Sequence, residues 1–196
     1  MSTENQSVCA VVVAAGSSRR MGGENKLLLP LCGKPVLAHT LTAFQMCGAV
    51  RDIVLVCREQ DMEVYRTLAA ENGITKLRTL TRGGDTRTES VLAGVSAASE
   101  ACALVAVHDG ARPLVSDEVI TQAVAEAAKT GAAAPVVPVK DSIKRIENGK
   151  IAADVPRDTL AAVQTPQVFR RDMLLHALLD AAANGKYLEA FTEYDA

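Results

Sequence analysis

The sequence predicts a three-layer α/β fold: a mostly parallel central sheet, helices on both faces, and one projecting β-hairpin arm. Three observations predict it. Wholly apolar runs of strand length recur along the chain, beginning with Val8–Ala14; strands buried on both faces read this way. Between them lie segments whose apolar residues recur at helical spacing, so strands alternate with helices as in βαβ units. After Val139 that rhythm stops, and a polar stretch around Glu147-Asn148-Gly149-Lys150 takes over. Asn-Gly is a strong tight-turn signal.

The elements follow in order. Residues 8–14, with three consecutive valines, form a first strand. Residues 15–31 read as a loop carrying glycines and cations. A helix is expected over 35–47: Pro35 suits a first helical position, Leu37, Leu41 and Phe44 share one face, and Gly48 stops it. A buried strand is expected over 52–57, a helix over 59–72 closed by Gly73, and a short strand over 77–80. Thr86 and Glu89 have the spacing of a capping box, opening a helix over 86–98. Residues 103–108 read as a third apolar strand ending at Asp109. Ser116, Asp117 and Glu118 suit the positive N-terminus of a helix over 116–130. A fourth strand is expected over 132–139. The hairpin at 142–153 carries few apolar residues, so it is expected to project as an arm and pack on something else. Residues 163–169 lead back to a last helix over 170–184.

Composition narrows the function classes. The chain has 196 residues, suited to one domain with a sizeable core. Aromatic residues are only 3% and Trp is absent, so that core must be aliphatic. A net charge of −2 argues against general attraction to nucleic acid or anionic membranes, so any anion site must be a local cluster of Lys and Arg. Five cysteines, an odd number with no C-x-x-C pair, read as reduced thiols. The run 8–15 is too short to span a bilayer and lacks a basic region before it. These readings point to the cytoplasm.

In open α/β sheets ligands bind beyond the carboxyl ends of the strands. Four segments reach that edge: 14–26, 83–90, 109–112 and 141–165. The first reads Ala14-Ala15-Gly16-Ser17-Ser18-Arg19-Arg20-Met21. Small residues let backbone N–H groups approach a phosphate, and the cations neutralise it. Neither a Walker A loop nor a G-x-G-x-x-G fingerprint is present. From spacing alone, a phosphate site and a plain βα loop with solvated arginines remain equally open. Read singly, Asp109-Gly110-Ala111-Arg112-Pro113 is a turn sequence. His108 beside Asp109 invites a triad with Ser90, but no strand–G-x-S-x-G–helix elbow exists.

Combined, the motifs carry more. Ala14-Ala15-Gly16-x-x-x-Arg20-Met21-Gly22, then Lys26, then Leu31-x-Gly33-Lys34-Pro35-Val36-Leu37, resembles the signature of sugar-phosphate nucleotidylyltransferases. Gly83-Gly84-Asp85-x-Arg87-x-x-Ser90-Val91, Val107-His108-Asp109-Gly110-Ala111-Arg112-Pro113 and Thr165-Pro166-Gln167-x-Phe169 resemble the 2-C-methyl-D-erythritol 4-phosphate cytidylyltransferases within it. The resemblance implies a Rossmann-like fold and transfer of CMP from CTP to 2-C-methyl-D-erythritol 4-phosphate, with pyrophosphate leaving and Mg2+ carried mainly on the triphosphate rather than by protein ligands. Ribitol 5-phosphate is the alternative acceptor. A molybdenum-cofactor-type guanylyltransferase and a nucleotide-binding regulator without turnover are the more distant readings.

The resemblance also implies roles. Arg20 and Lys26 stabilise the transition state. Ala14, Ala15 and Gly16 offer backbone to the nucleotide. Gly84, Asp85, Arg87 and Ser90 lie near cytosine and ribose, with Asp109 and Gly110 at the strand end beside them. Asp109 and Arg112 help bind the acceptor. Arg157 and Thr165 hold its phosphate, Arg157 also being catalytic; Ser142, also on the acceptor side, stands where the family has a hydroxyl residue, usually Thr, and Thr192 is a late active-site threonine. Residues 1–196 form a single nucleotidyltransferase domain, with 140–156 as the arm of a homodimer. Ser18 stands where the family commonly has Gly. A last strand, a lysine pair and a final helix carried by the family have no counterpart before Ala196, so the chain as written is expected to hold its acceptor weakly.

Overall fold

The computed structural model describes residues 7–16 and 24–184. In chain order these form β1 (Val8–Ala14), β2 (Pro30–Leu31), β3 (Lys34–Pro35), α1 (Val36–Met46), β4 (Val50–Cys57), α2 (Met62–Glu71), β5 (Leu77–Arg82), α3 (Arg87–Ala97), β6 (Leu104–Asp109) and α4 (Asp117–Thr130). Then come β7 (Ala132–Ala133), β8 (Val136–Pro138), β9 (Ile143–Glu147), β10 (Lys150–Val155), β11 (Ala161–Val163), β12 (Gln167–Arg170) and α5 (Arg171–Ala183). The main sheet has six strands in the order β5-β4-β1-β6-β12-β7. β5, β4, β1 and β6 run parallel, while β12 lies antiparallel to both β6 and β7.

The valine run of β1 becomes the centre of the molecule because both its faces are covered. Ala10, Val12 and Ala14 pack with Leu37, Leu41 and Phe44 of α1 and Tyr65 and Leu68 of α2. Cys9 and Val11 turn the other way, to Val91 and Val95 of α3 and Leu174 and Leu178 of α5. α4 completes the first face, its Ala123 and Ala127 packing on Val8, Leu104 and Ala106. Each fully buried valine contributes roughly 1.5–3 kcal/mol, so an uninterrupted apolar strand is what a three-layer core demands. Gly94 lets α3 approach closely: a Cβ there would stand 2.3 Å from Val11 Cγ1 and 2.7 Å from Val56 Cγ2.

Local signals act where they were read. Thr86 Oγ1 accepts from the Glu89 N–H (3.2 Å) and Glu89 Oε2 from the Thr86 N–H (2.9 Å), closing the capping box of α3. Ser116 caps α4, and Gly131 ends it at φ 92°. Asn148 and Gly149, at φ 51° and 74°, turn β9 into β10; a two-residue hairpin needs positive φ at both positions.

Three expectations are corrected. Pro35 is the residue before α1, at φ −58° and ψ 145°, not its first helical residue. The loop 15–31 contains strand β2, which pairs with β3 through Cys32 (φ 48°) and Gly33 (φ 83°). The single strand expected over 132–139 is two. β7 stays in the main sheet, whereas β8 leaves it and pairs antiparallel with β11. Pro135 and Pro138 have no N–H to give a central ladder, and that outweighs the apolar run.

From β1 the chain builds outward to β4 and β5, then crosses back to place β6 on the other side of β1. The order reverses between β1 and β6. Connections on either side diverge there and leave a crevice at the strands' carboxyl ends.

Candidate active site

Three segments converge at that reversal. The end of β1 carries Ala14, Ala15 and Gly16. Ala14 is buried, Ala15 half-buried and Gly16 exposed, with open space where a Cβ would stand. After β5, the Gly83 N–H donates to the Cys57 carbonyl (3.0 Å). A Cβ on Gly83 would stand 2.6 Å from Ala15 Cβ and 2.7 Å from Ser90 Oγ, so this glycine is where the β1 loop, the β5 turn and α3 touch. Ser90 is buried, its Oγ 3.5 Å from the Gly84 carbonyl, and Asp85 is exposed at the turn.

The third segment is the end of β6. The Gly110 N–H donates to the Val13 carbonyl (2.8 Å), and the Gly110 carbonyl accepts from Thr40 Oγ1 (2.8 Å). Thr40 is a wholly buried hydroxyl among the apolar residues of α1. The Arg112 N–H donates to the Asp109 carbonyl (3.1 Å), closing a turn over Gly110 and Ala111.

Asp109 is the electrostatic centre. Its Oδ1 accepts from Arg87 Nη2 (3.0 Å) and its Oδ2 from Arg112 Nε (2.8 Å). Burial works against ionisation, but the guanidiniums of Arg87 and then Arg112 outweigh it and hold the carboxyl below its ordinary range. Arg112 Nη1 also donates to Gln164 Oε1 (2.6 Å). A carboxylate clamped between two arginines leaves net positive charge at a crevice lined by small residues, an arrangement suited to phosphate groups.

His108, one residue earlier, is wholly buried. Its Nδ1 lies 2.9 Å from Thr165 Oγ1 and its Nε2 3.1 Å from the Arg112 carbonyl, with the ring edge-on to Phe44. Both ring nitrogens are occupied, which disposes of a triad with Ser90. Sequence reasoning missed Gln164 and Thr40; only for Thr40 was there a signal, a polar residue on the apolar face of a helix.

On the near side of the crevice, Asn25 Nδ2 donates to Tyr65 Oη (2.9 Å) and Asn25 Oδ1 accepts from the Leu27 N–H (3.1 Å). The Leu27 carbonyl accepts from the Leu37 N–H (3.0 Å). Lys26 is therefore an exposed cation on a backbone fixed from both sides. Arg20, Ser18 and Thr192 lie outside the described residues. Ser142 is exposed at the base of the arm, and Arg157 Nη1 donates to the Lys140 carbonyl (2.7 Å), on the arm rather than at Asp109.

The family model for IspD, 2-C-methyl-D-erythritol 4-phosphate cytidylyltransferase, matches residues 8–190. The chain belongs to this family. A curated 2-C-methyl-D-erythritol 4-phosphate cytidylyltransferase of Dehalococcoides mccartyi (strain CBDB1) is 44% identical over 174 residues, covering 88% of this chain and 76% of the relative. One from Halalkalibacterium halodurans is 46% identical over 160 residues, covering 81% and 70%. The solved 4-diphosphocytidyl-2C-methyl-D-erythritol synthase of Anaerococcus prevotii superposes with a TM-score of 0.82 at 26% identity, covering 98% of this chain and 80% of that one. Of the motifs read from the sequence, the sheet reversal brings together the stretches 14–16, 83–90, 109–112 and 165. Ser142 and Arg157 have no described hydrogen bond to these segments.

The crowding at Gly83 makes a prediction. Gly83→Ala should force Ala15 and Ser90 apart, costing about 1–3 kcal/mol of stability and raising the KM for the nucleotide several-fold. A thermal midpoint and nucleotide KM both equal to wild type would show that the three segments do not need this contact.

Proposed function

We infer a division of labour within an enzyme that transfers CMP from CTP to 2-C-methyl-D-erythritol 4-phosphate in isoprenoid precursor synthesis. The observation that carries it is the convergence of the β1 loop, the Gly83-Gly84 turn and the Arg87–Asp109–Arg112 cluster on one crevice. The acceptor's phosphate oxygen attacks the α-phosphorus of CTP and pyrophosphate departs in line. Such a reaction asks for positioning and charge stabilisation more than proton transfer.

Ala14, Ala15 and Gly16 present backbone to the triphosphate. Gly84, Asp85 and Ser90 surround the cytosine and ribose, where a glycine pair gives a pyrimidine access to backbone groups. Arg87 and Gly110 fix Asp109 at the ribose and acceptor side, and Arg112 and Thr165 meet the acceptor. Arg20 and Lys26 act on the charge that develops around the α-phosphorus. Mg2+ travels on the triphosphate and neutralises its oxygens. An ion held in this way needs only one or two protein carboxylates; those described at this edge are the exposed Asp85 and Asp109, whose oxygens already accept from Arg87 and Arg112.

The arm serves a homodimer. Ile146, Ile151, Val136, Val137 and Val163 of the arm and the adjoining β8–β11 ribbon are 57%, 68%, 54%, 48% and 52% exposed. So much apolar surface on two thin ribbons suits burial against a second copy, which would bring Ser142 and Arg157 to the neighbouring subunit's site. The five free cysteines, four of them buried, suit a reducing cytoplasm.

The test is pyrophosphate release with CTP, UTP, ATP and GTP, against methylerythritol phosphate and ribitol 5-phosphate. CTP with methylerythritol phosphate should be fastest, and chelation of Mg2+ should stop it. Equal rates with a purine triphosphate would overturn the cytosine site, and faster turnover of ribitol phosphate would move the acceptor.

A further inference from the structure

We propose that His108 is a positioning residue for the acceptor site, holding the Arg112 turn and the Thr165 hydroxyl in one fixed relation through its two ring nitrogens. This rests on the reading that Arg112 and Thr165 meet the acceptor. The two residues come from distant parts of the chain: Arg112 follows β6, and Thr165 precedes β12. His108 bonds to both segments, with Nε2 at 3.1 Å from the Arg112 carbonyl and Nδ1 at 2.9 Å from Thr165 Oγ1, beside the direct Arg112–Gln164 bond.

The proton positions follow from the acceptors. A carbonyl oxygen only accepts, so Nε2 carries the hydrogen and donates to Arg112. Nδ1 is then bare and accepts, so the Thr165 hydroxyl donates to it. The Thr165 hydroxyl cannot rotate freely, because its proton is committed to the ring. Burial pushes the imidazole down to about 4, which outweighs the Arg112 carbonyl and the Asp109 charge acting in the opposite direction, so the neutral ring persists at neutral pH. The ring itself is held by its edge-on contact with Phe44, at 4.9 Å between centroids. The nucleotide segments 14–16 and 83–90 have no described hydrogen bond to His108.

Three variants separate the two links. His108→Asn places an amide oxygen near Nδ1 and keeps the Thr165 link; His108→Gln places an amide nitrogen near Nε2 and keeps the Arg112 link; His108→Leu removes both. Steady-state kinetics should show kcat/KM for methylerythritol phosphate falling about ten- to a hundredfold in His108→Leu, the range for misplaced binding groups. Asn and Gln should each recover part of it. The KM for CTP should stay within about twofold. Unchanged acceptor kinetics in all three, or equal losses for CTP and acceptor that follow the fall in thermal midpoint, would overturn the proposal. If Leu does not fold, Asn and Gln still decide it. Arg112→Ala and Thr165→Val are measured alongside. If these leave acceptor kinetics unchanged, it is the acceptor-site assignment that fails; if they weaken acceptor use while the His108 variants do not, it is the positioning role.

Discussion

Lys26→Ala should lower turnover about 10²–10³-fold while leaving the fold intact, and Arg20→Ala should do the same. Removing one preorganised group that acts on transition-state charge typically costs this much. Lys26 is exposed, and its neighbours are fixed points of the loop: Asn25 on Tyr65, Leu27 on Leu37. Those two anchors remain when the amine is removed, so the fold should survive. CTP should still bind, because Ala14–Gly16 and the Gly83-Gly84 turn are untouched, so the loss should fall on kcat more than on the KM for CTP. Full-length variants assayed for pyrophosphate release and scanned by calorimetry test this. Near-normal turnover in the Lys26→Ala, Arg20→Ala double variant would remove both residues from the reacting centre.

The sequence was most legible where a signal is local or periodic. The valines of β1 announce a strand buried on both faces, and such burial requires helices on each side. The Thr86–Glu89 capping box and the Asn148-Gly149 turn act over four residues or fewer, so no distant partner could override them. What escaped was tertiary. The two prolines of the run 132–139 argue in sequence against one central strand, but nothing local says that its second half will pair with residues 161–163. The β2–β3 ribbon has two residues per strand, too few for any alternation to show. The candidate site was legible as motifs but not as geometry. Asp109 and Arg112 stood out in sequence, whereas Gln164 reaches Arg112 from across the fold. His108 drew notice for the wrong reason, its neighbour in sequence, when its working contacts are Thr165 and a carbonyl four residues on.

That same gap between motif and geometry concerns Arg157, and it sets up the second large effect. By motif Arg157 belongs to the acceptor site, yet its described side-chain hydrogen bond is to the Lys140 carbonyl at the base of the arm and not to Asp109. A homodimer reconciles the two, because an arm that crosses to the neighbouring subunit delivers Arg157 to that subunit's crevice. Each site would then take Arg20 and Lys26 from one chain and Arg157 from the other. Arg20→Ala and Arg157→Ala homodimers should each be nearly inactive, since every site lacks one cation. In a hybrid dimer the two lesions fall on the same site, and the second site has a full complement. Random exchange at equal concentrations makes half the dimers hybrid, so activity should rise from near zero to about a quarter of wild type, as two-fold symmetry dictates. The apolar residues exposed on the arm, Ile146 and Ile151, supply the surface for such a contact, and replacing both with Lys should abolish the rescue. Subunit exchange is followed with differently tagged chains and activity by pyrophosphate release. No rescue despite demonstrated exchange would return Arg157 to its own subunit, and a monomer by light scattering at assay concentration would remove the shared site altogether.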